Sequence, residues 1–140
     1  MSQRTMMDII CDQNPVIMSP SATVAETCQK MTERQVGAVL VSEDNERLVG
    51  IFTGRDAVSR VLALGRSGSD TIIGDIMTVE PNTIQPGRTA IEALRIMQDG
   101  GYRHIPVVDE GQIVGIVSRG DFRGLEKARL DEETHIWEVI

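Results

Sequence analysis

The sequence predicts a mixed α+β fold made of two β-α-β-β-α repeats related by a pseudo-twofold axis. Three observations carry that prediction. The chain is similar to itself at a shift of 66 positions. Each copy starts a helix with the same Thr-x-x-Glu signature and continues it with apolar residues at helical spacing. Each copy then has two apolar runs of strand length separated by a turn.

The repeat is read first because it organises everything else. Asn14-Pro15-Val16-Ile17-Met18-Ser19-Pro20 aligns with Glu80-Pro81-Asn82-Thr83-Ile84-Gln85-Pro86, a short extended stretch between two prolines. Thr23 and Glu26 align with Thr89 and Glu92, and each pair makes a capping box that satisfies free N–H groups at a helix start. Val24, Cys28 and Met31 form one buried helix face, which Ala90, Leu94 and Met97 reproduce. Strands follow over residues 36–41 and 104–108, then turns at Glu43-Asp44-Asn45-Glu46 and Asp109-Glu110-Gly111, then strands over 47–53 and 112–118. After a one-residue deletion, Gly50-Ile51-Phe52-Thr53-Gly54-Arg55-Asp56 falls on Gly115-Ile116-Val117-Ser118-Arg119-Gly120-Asp121. A second helix starts at Asp56 or Asp121, with apolar positions Ala57, Val58, Val61 and Leu62, or Phe122, Leu125 and Ala128. The expected organisation is a first repeat with its N-terminal segment over 1–65, a linker over 66–73, a second repeat over 74–130 and an acidic tail over 131–140.

Composition narrows the function. Hydrophobic residues make up 41% of the chain and aromatics only 3%, so the core is aliphatic. A net charge of -7 repels phosphate backbones at long range, and neither a nucleic-acid nor a membrane partner is expected. Cys11 and Cys28 lie in no metal-ligand spacing and read as free thiols of a cytoplasmic protein. His104 and His135 have no Cys or Glu at metal spacing, and no nucleophile elbow, P-loop or dinucleotide fingerprint is present. The chain is therefore expected not to be an enzyme and to carry no metal or resident cofactor.

What remains is the strand ending Gly-hydrophobic-hydrophobic-Thr/Ser-x-x-Asp, used twice. An Asp there has two chemistries. It can cap its own helix, or its acceptor-only carboxylate can bind the diol of a sugar. Arg55 beside Asp56 and Arg119 near Asp121 are unfavourable next to a helix start unless an anion arrives there. Diol, anion and an apolar slot for a flat base together describe a nucleotide.

These motifs, with Arg103-His104-Ile105-Pro106-Val107-Val108, resemble the CBS-domain (cystathionine-β-synthase domain) family, and the likeness runs from about Asp8 to Leu130. The resemblance implies a stand-alone tandem CBS pair whose two clefts bind an adenine nucleotide (AMP, ADP or ATP) as a regulatory ligand. It also implies a homodimer that signals to a separate regulated protein; the alternative is a dimerising scaffold with no nucleotide. By the same resemblance, the first cleft uses Thr53, Arg55, Asp56 and Ala38, closed by Thr78, Asn82, Tyr102 and Arg103 from the other repeat. The second uses Ser118, Gly120, Asp121 and His104, with Asp12, Val16, Val36 and Gly37 from the first repeat. Asp56 and Asp121 are the expected ribose ligands. Arg55, Arg103, His104 and Arg119 are the expected phosphate partners. The chain departs from many relatives in having Gly54-Arg55 and Arg119-Gly120 between hydroxyl and Asp.

Overall fold

A computed structural model describes residues 4–122 of the chain. Leu125, Ala128 and the acidic tail with His135 and Trp137 lie outside the described residues. In chain order the elements are α1 (Met6–Ile10), β1 (Ile17–Met18), α2 (Val24–Arg34), β2 (Ala38–Val41), β3 (Gly50–Thr53), α3 (Gly54–Asp56), β4 (Thr78–Val79), α4 (Ala90–Gly100), β5 (His104–Asp109) and β6 (Gln112–Ser118). The helix begun by α3 continues in wider π-type turns over Ala57–Leu62, and 3-10 turns span Ile73–Asp75 and Arg119–Asp121.

The chain divides into two compact units, and they do not follow the repeat boundaries. One holds Asn14–Asn82 with Glu110–Ile113. The described part of the other is 4–13, 83–109 and 114–122. Residues 4–13 pack in the compact unit that holds most of the second repeat.

In the unit of residues 14–82, four strands lie in the order β1-β2-β3-β4. β1 runs parallel to β2 with Met18 opposite Val41, and β2 runs antiparallel to β3 with Ala38 opposite Thr53. All four residues of β2 are buried, as expected of a β-branched and aliphatic run with both faces covered. Val16, Val24, Met31, Val39, Val41, Phe52, Val61, Ile73 and Ile76 form the core. Phe52 is completely buried, a contribution of about 1.5–3 kcal/mol. The loop between β2 and β3 is organised by Asp44, whose Oδ1 accepts from the Glu46 and Arg47 N–H groups at 2.9 and 2.8 Å. These donors hold the Asp44 carboxyl below the usual carboxylate range. In helix α2 Cys28 is partly buried against the core with Val24 and Met31, and Thr27 is a fully buried position that the spacing did not mark. The Thr27 hydroxyl is satisfied by donating to the Thr23 carbonyl at 2.8 Å. The linker is tied down, since the Ala25 N–H donates to the Gly68 carbonyl and the Val24 N–H to the Thr71 carbonyl.

The other unit packs α1 and α4 with the β5–β6 hairpin around Met6, Ile10, Ile84, Leu94, Met97, Ile105, Val107, Val117 and Phe122. Here Ile84 bridges Val107 in parallel, the counterpart of Met18 opposite Val41 at the same shift of 66. The capping box at Thr89 is complete, and α4 ends on Gly101 at φ 73. The hairpin turns on Glu110 and Gly111, both at positive φ, as a two-residue loop between twisted strands requires.

The segment preceding each repeat's β1-like stretch explains the interleaving. In the first unit β4 pairs antiparallel with β3, Thr78 opposite Ile51. In the second, Gln13 takes the same place with its side chain. Its amide donates to the Ile116 carbonyl and accepts the Ile116 N–H, both at 2.7 Å. The exposed backbone of a strand edge needs partners, and these two segments supply them. Gly50 and Gly115 are required for that approach. A Cβ at Gly50 would stand 2.5 Å from the Met77 sulfur and 2.8 Å from the Thr78 carbonyl, and one at Gly115 would stand 2.7 Å from Gln13 Oε1.

Candidate functional site

The twice-used strand ending folds the same way in both units. Thr53 is the N-cap of α3, with φ -122 and ψ 165. Its hydroxyl accepts the Asp56 N–H at 3.2 Å, while Asp56 Oδ2 accepts the Thr53 N–H at 3.0 Å and the Thr53 hydroxyl at 3.1 Å. At the end of β6, Asp121 Oδ2 accepts the Ser118 N–H at 2.7 Å and the Ser118 hydroxyl at 3.3 Å. The hydroxyl residue is thus the cap and the aspartate the third residue of a capping box, so each helical turn starts two residues before its Asp. Each turn is pinned to the strand beside it. The Gly54 N–H donates to the Gly37 carbonyl at 3.0 Å, and the Arg119 N–H to the Arg103 carbonyl at 2.9 Å.

Both aspartates therefore perform the capping role, and their surroundings separate them. Asp56 is 8% exposed, and its Oδ1 lies 3.6 Å from Arg60 Nε. Arg60 also donates from Nη1 to the Ile76 and Met77 carbonyls at 3.0 and 3.2 Å. Asp121 is exposed, and the guanidinium of Arg4 reaches its backbone carbonyl at 3.0 Å. His104 is half-buried. Burial pushes its pKa below the ordinary value, the Arg103 charge acts in the same direction, and Asp121 opposes both.

Residues 7–63 and 73–127 each match the CBS domain family. The chain belongs to the CBS-domain family. It is 39% identical over 103 residues to the mitochondrial CBS domain-containing protein CBSX3 of Arabidopsis thaliana, covering 71% of this chain and 50% of that one. The chain spans less than two thirds of the length of the curated relatives it matches. The CBS domain protein PAE2072 of Pyrobaculum aerophilum, solved with AMP, superposes with a TM-score of 0.81 at 22% identity, covering 91% of this chain and 98% of that one. The hexameric CBS-CP12 protein of bloom-forming cyanobacteria gives 0.77 at 25% identity, covering 86% and 67%.

The CBS pair distributes the expected site residues as follows. Thr53, Arg55, Asp56 and Ala38 share a compact unit with Thr78 and Asn82, two residues that belong to the second repeat. The reason is the β3–β4 pairing, which draws residues 78–79 onto the edge of the first repeat's sheet. Ala38 is buried opposite Thr53. Ser118, Arg119, Gly120, Asp121, His104, Tyr102 and Arg103 share the other unit, and Asp12 lies there too, next to Gln13. Val16, Val36 and Gly37 belong to the first unit, where Val16 is core. Val36 and Gly37, with Cys28, Met31, Thr32, Gln35 and Gly54, line a groove of about 400 Å³ against the Thr53 turn. Burial raises the pKa of the Cys28 thiol in that groove, which keeps it protonated and disfavours a nucleophilic role. Among the described residues, no three of His, Cys, Asp and Glu cluster as a metal would require, and no helix is long and apolar enough to cross a membrane.

Sequence reasoning did not single out Arg60 or Arg4. Arg60 was within reach, since it stands four residues after Asp56 on a helix. Arg4 carried no signal, because its contact spans 117 residues.

Proposed function

We propose that this CBS pair is a regulatory module that binds an adenine nucleotide such as AMP, ADP or ATP against its strand-end turns and passes occupancy to a separate partner protein. The observation that carries this reading is the Ser118–Asp121 turn, where an exposed carboxylate lies with Arg103, His104 and Arg119 at one end of the β5–β6 hairpin. A carboxylate suits a ribose diol, and the cations suit a phosphate. The AMP bound to the Pyrobaculum protein supports the choice of ligand class. Free Cys11 and Cys28 fit a reducing compartment such as the cytoplasm. Regulation requires that the nucleotide prefer one of two states of the module, and the partner the same one.

Thermal unfolding with and without AMP, ADP, ATP, NADH and S-adenosylmethionine tests the proposal. A ligand at about 100 times its Kd adds about 2.7 kcal/mol. No shift with any of the five would remove it.

A second reading is a dimerising scaffold without a nucleotide. It is favoured by the capping engagement of both aspartates and by the exposed apolar side chains of Val58, Leu62 and Leu64, which are 60%, 72% and 63% exposed. Sedimentation of wild type and of Leu62→Glu decides whether that face joins two copies.

A further inference from the structure

The two repeats differ in length at the turn between their paired strands. Val41 and Val107 are related by a shift of 66 and Gly50 and Gly115 by a shift of 65, so the first loop is one residue longer. The second repeat turns on Glu110 and Gly111, both at positive φ. The longer loop is built around a carboxylate instead. Asp44 Oδ1 accepts the Glu46 and Arg47 N–H groups at 2.9 and 2.8 Å and the Ser42 hydroxyl at 3.0 Å. Ser42 is itself buried, and its N–H donates to the Met18 carbonyl. Asn45 takes a left-handed φ of 64 within the loop.

Held in this way, the loop offers its outer backbone to the tip of the β5–β6 hairpin. The Glu46 carbonyl accepts the Ile113 N–H at 2.7 Å, and Arg47 bridges Gln112 antiparallel. Gln112 is the repeat counterpart of Arg47, so the bridge joins one position to its own copy. The Arg47 guanidinium lies over Gly111, where a Cβ would stand 2.9 Å from Nη1. Residues Glu110–Ile113 accordingly belong to the unit of Asn14–Asn82, while the rest of the hairpin belongs to the other unit. At the end away from its tip, β6 runs into the Ser118–Asp121 turn.

We propose that the Asp44 loop is a clasp on the hairpin tip, and that this clasp is the joint through which the state of the hairpin is passed to the sheet of residues 14–82. The nucleotide reading above supplies the trigger of the joint, and the clasp stands without it. Amide exchange of the full chain tests both parts, on wild type and Asp44→Ala, with and without saturating AMP, ADP or ATP. Without nucleotide, the Ile113 amide should exchange about 10-fold faster in Asp44→Ala, the scale of one charge-assisted acceptor lost from a local opening. The Leu40 and Val108 amides, bonded to the Val16 and Ile84 carbonyls, should stay within about threefold of wild type. If Asp44→Ala does not fold, Asp44→Asn, which keeps an acceptor and loses the charge, should speed Ile113 alone by about threefold. Unchanged exchange at Ile113, or equal acceleration at all three amides, overturns the clasp. With nucleotide, Ile113 protection should rise by at least about threefold in wild type and stay unchanged in Asp44→Ala. A nucleotide that raises Tm and leaves Ile113 protection as it was overturns the joint while the nucleotide reading stands. No binding of any of the three removes that reading and the joint's trigger with it, and the nucleotide-free exchange still decides the clasp.

Discussion

The side-chain amide of Gln13 pairs with the backbone of Ile116 as a neighbouring strand would, donating to its carbonyl and accepting its N–H at 2.7 Å each. It stands where, in the other unit, β4 pairs with Ile51 through its backbone. Replacing Gln13 with Ala should cost about 1–2 kcal/mol, two neutral hydrogen bonds at a wet edge. Amide exchange at Ile116 should accelerate in the same variant. Unchanged protection of that amide would mean the contact does not persist in solution.

Gly50 should tolerate no side chain. A Cβ there meets the Met77 sulfur and the Thr78 carbonyl, so Gly50→Ala should destabilise by about 2–3 kcal/mol by forcing β4 off β3. Gly54, four residues on, has nothing within 4 Å of an added Cβ. Gly54→Ala should change stability by no more than about 0.5 kcal/mol. Urea titrations compare the two, and equal losses would contradict the packing described.

The helix cap at Thr89 should contribute about 1 kcal/mol, measured as the loss in Thr89→Ala. Its partner Glu92 is held below the usual carboxylate range, first by Arg88 and then by the Thr89 backbone. A depressed carboxylate contributes stability that is present above its unfolded pKa and is lost as pH falls through its folded one. Acid unfolding of Glu92→Gln should therefore be less steep than that of wild type. Identical acid limbs would show that the box does not form.

His104 sets a second pH test, nearer neutrality. Its folded pKa lies below the ordinary 6.5, chiefly through burial, so folding disfavours the protonated ring. Stability is full above about pH 6.5 and falls as pH drops below it, because the unfolded chain then binds more protons. Between about pH 7.5 and pH 5.5, wild type should lose more stability than His104→Gln. A phosphate bound beside the ring would restore its basicity, so nucleotide affinity should rise over the same descent. Equal losses in the two proteins would place His104 outside the coupling.

Much of the fold is legible in the chain because it is written in local chemistry. Thr23 and Thr89 start helices where a hydroxyl can reach an N–H three residues on, and Ala90, Leu94 and Met97 mark a buried face by spacing alone. The strand over 112–118 is found at the bounds read from its apolar run and the turn before it. Strand starts were less legible. Val36 and Gly37 read as strand, yet β2 begins at Ala38, since pairing with β3 decides which residues are laddered.

The site was legible as a motif and not as a role. Thr53, Asp56, Ser118 and Asp121 were named from the repeat, and the same four residues turn out to close two capping boxes. Spacing cannot tell a cap from a ligand, since both need a hydroxyl and a carboxylate three residues apart.

By itself the sequence determined the duplication, the helix starts, the aliphatic core and the identity of the two strand-end turns, because each depends on residues within a few positions of one another. Tertiary structure alone decided that residues 4–13 complete the second unit and residues 78–79 the first, and that the Asp121 turn meets the guanidinium of Arg4. Those outcomes are set by which unpaired strand edge and which charge a distant segment meets on folding, and no local pattern encodes that meeting.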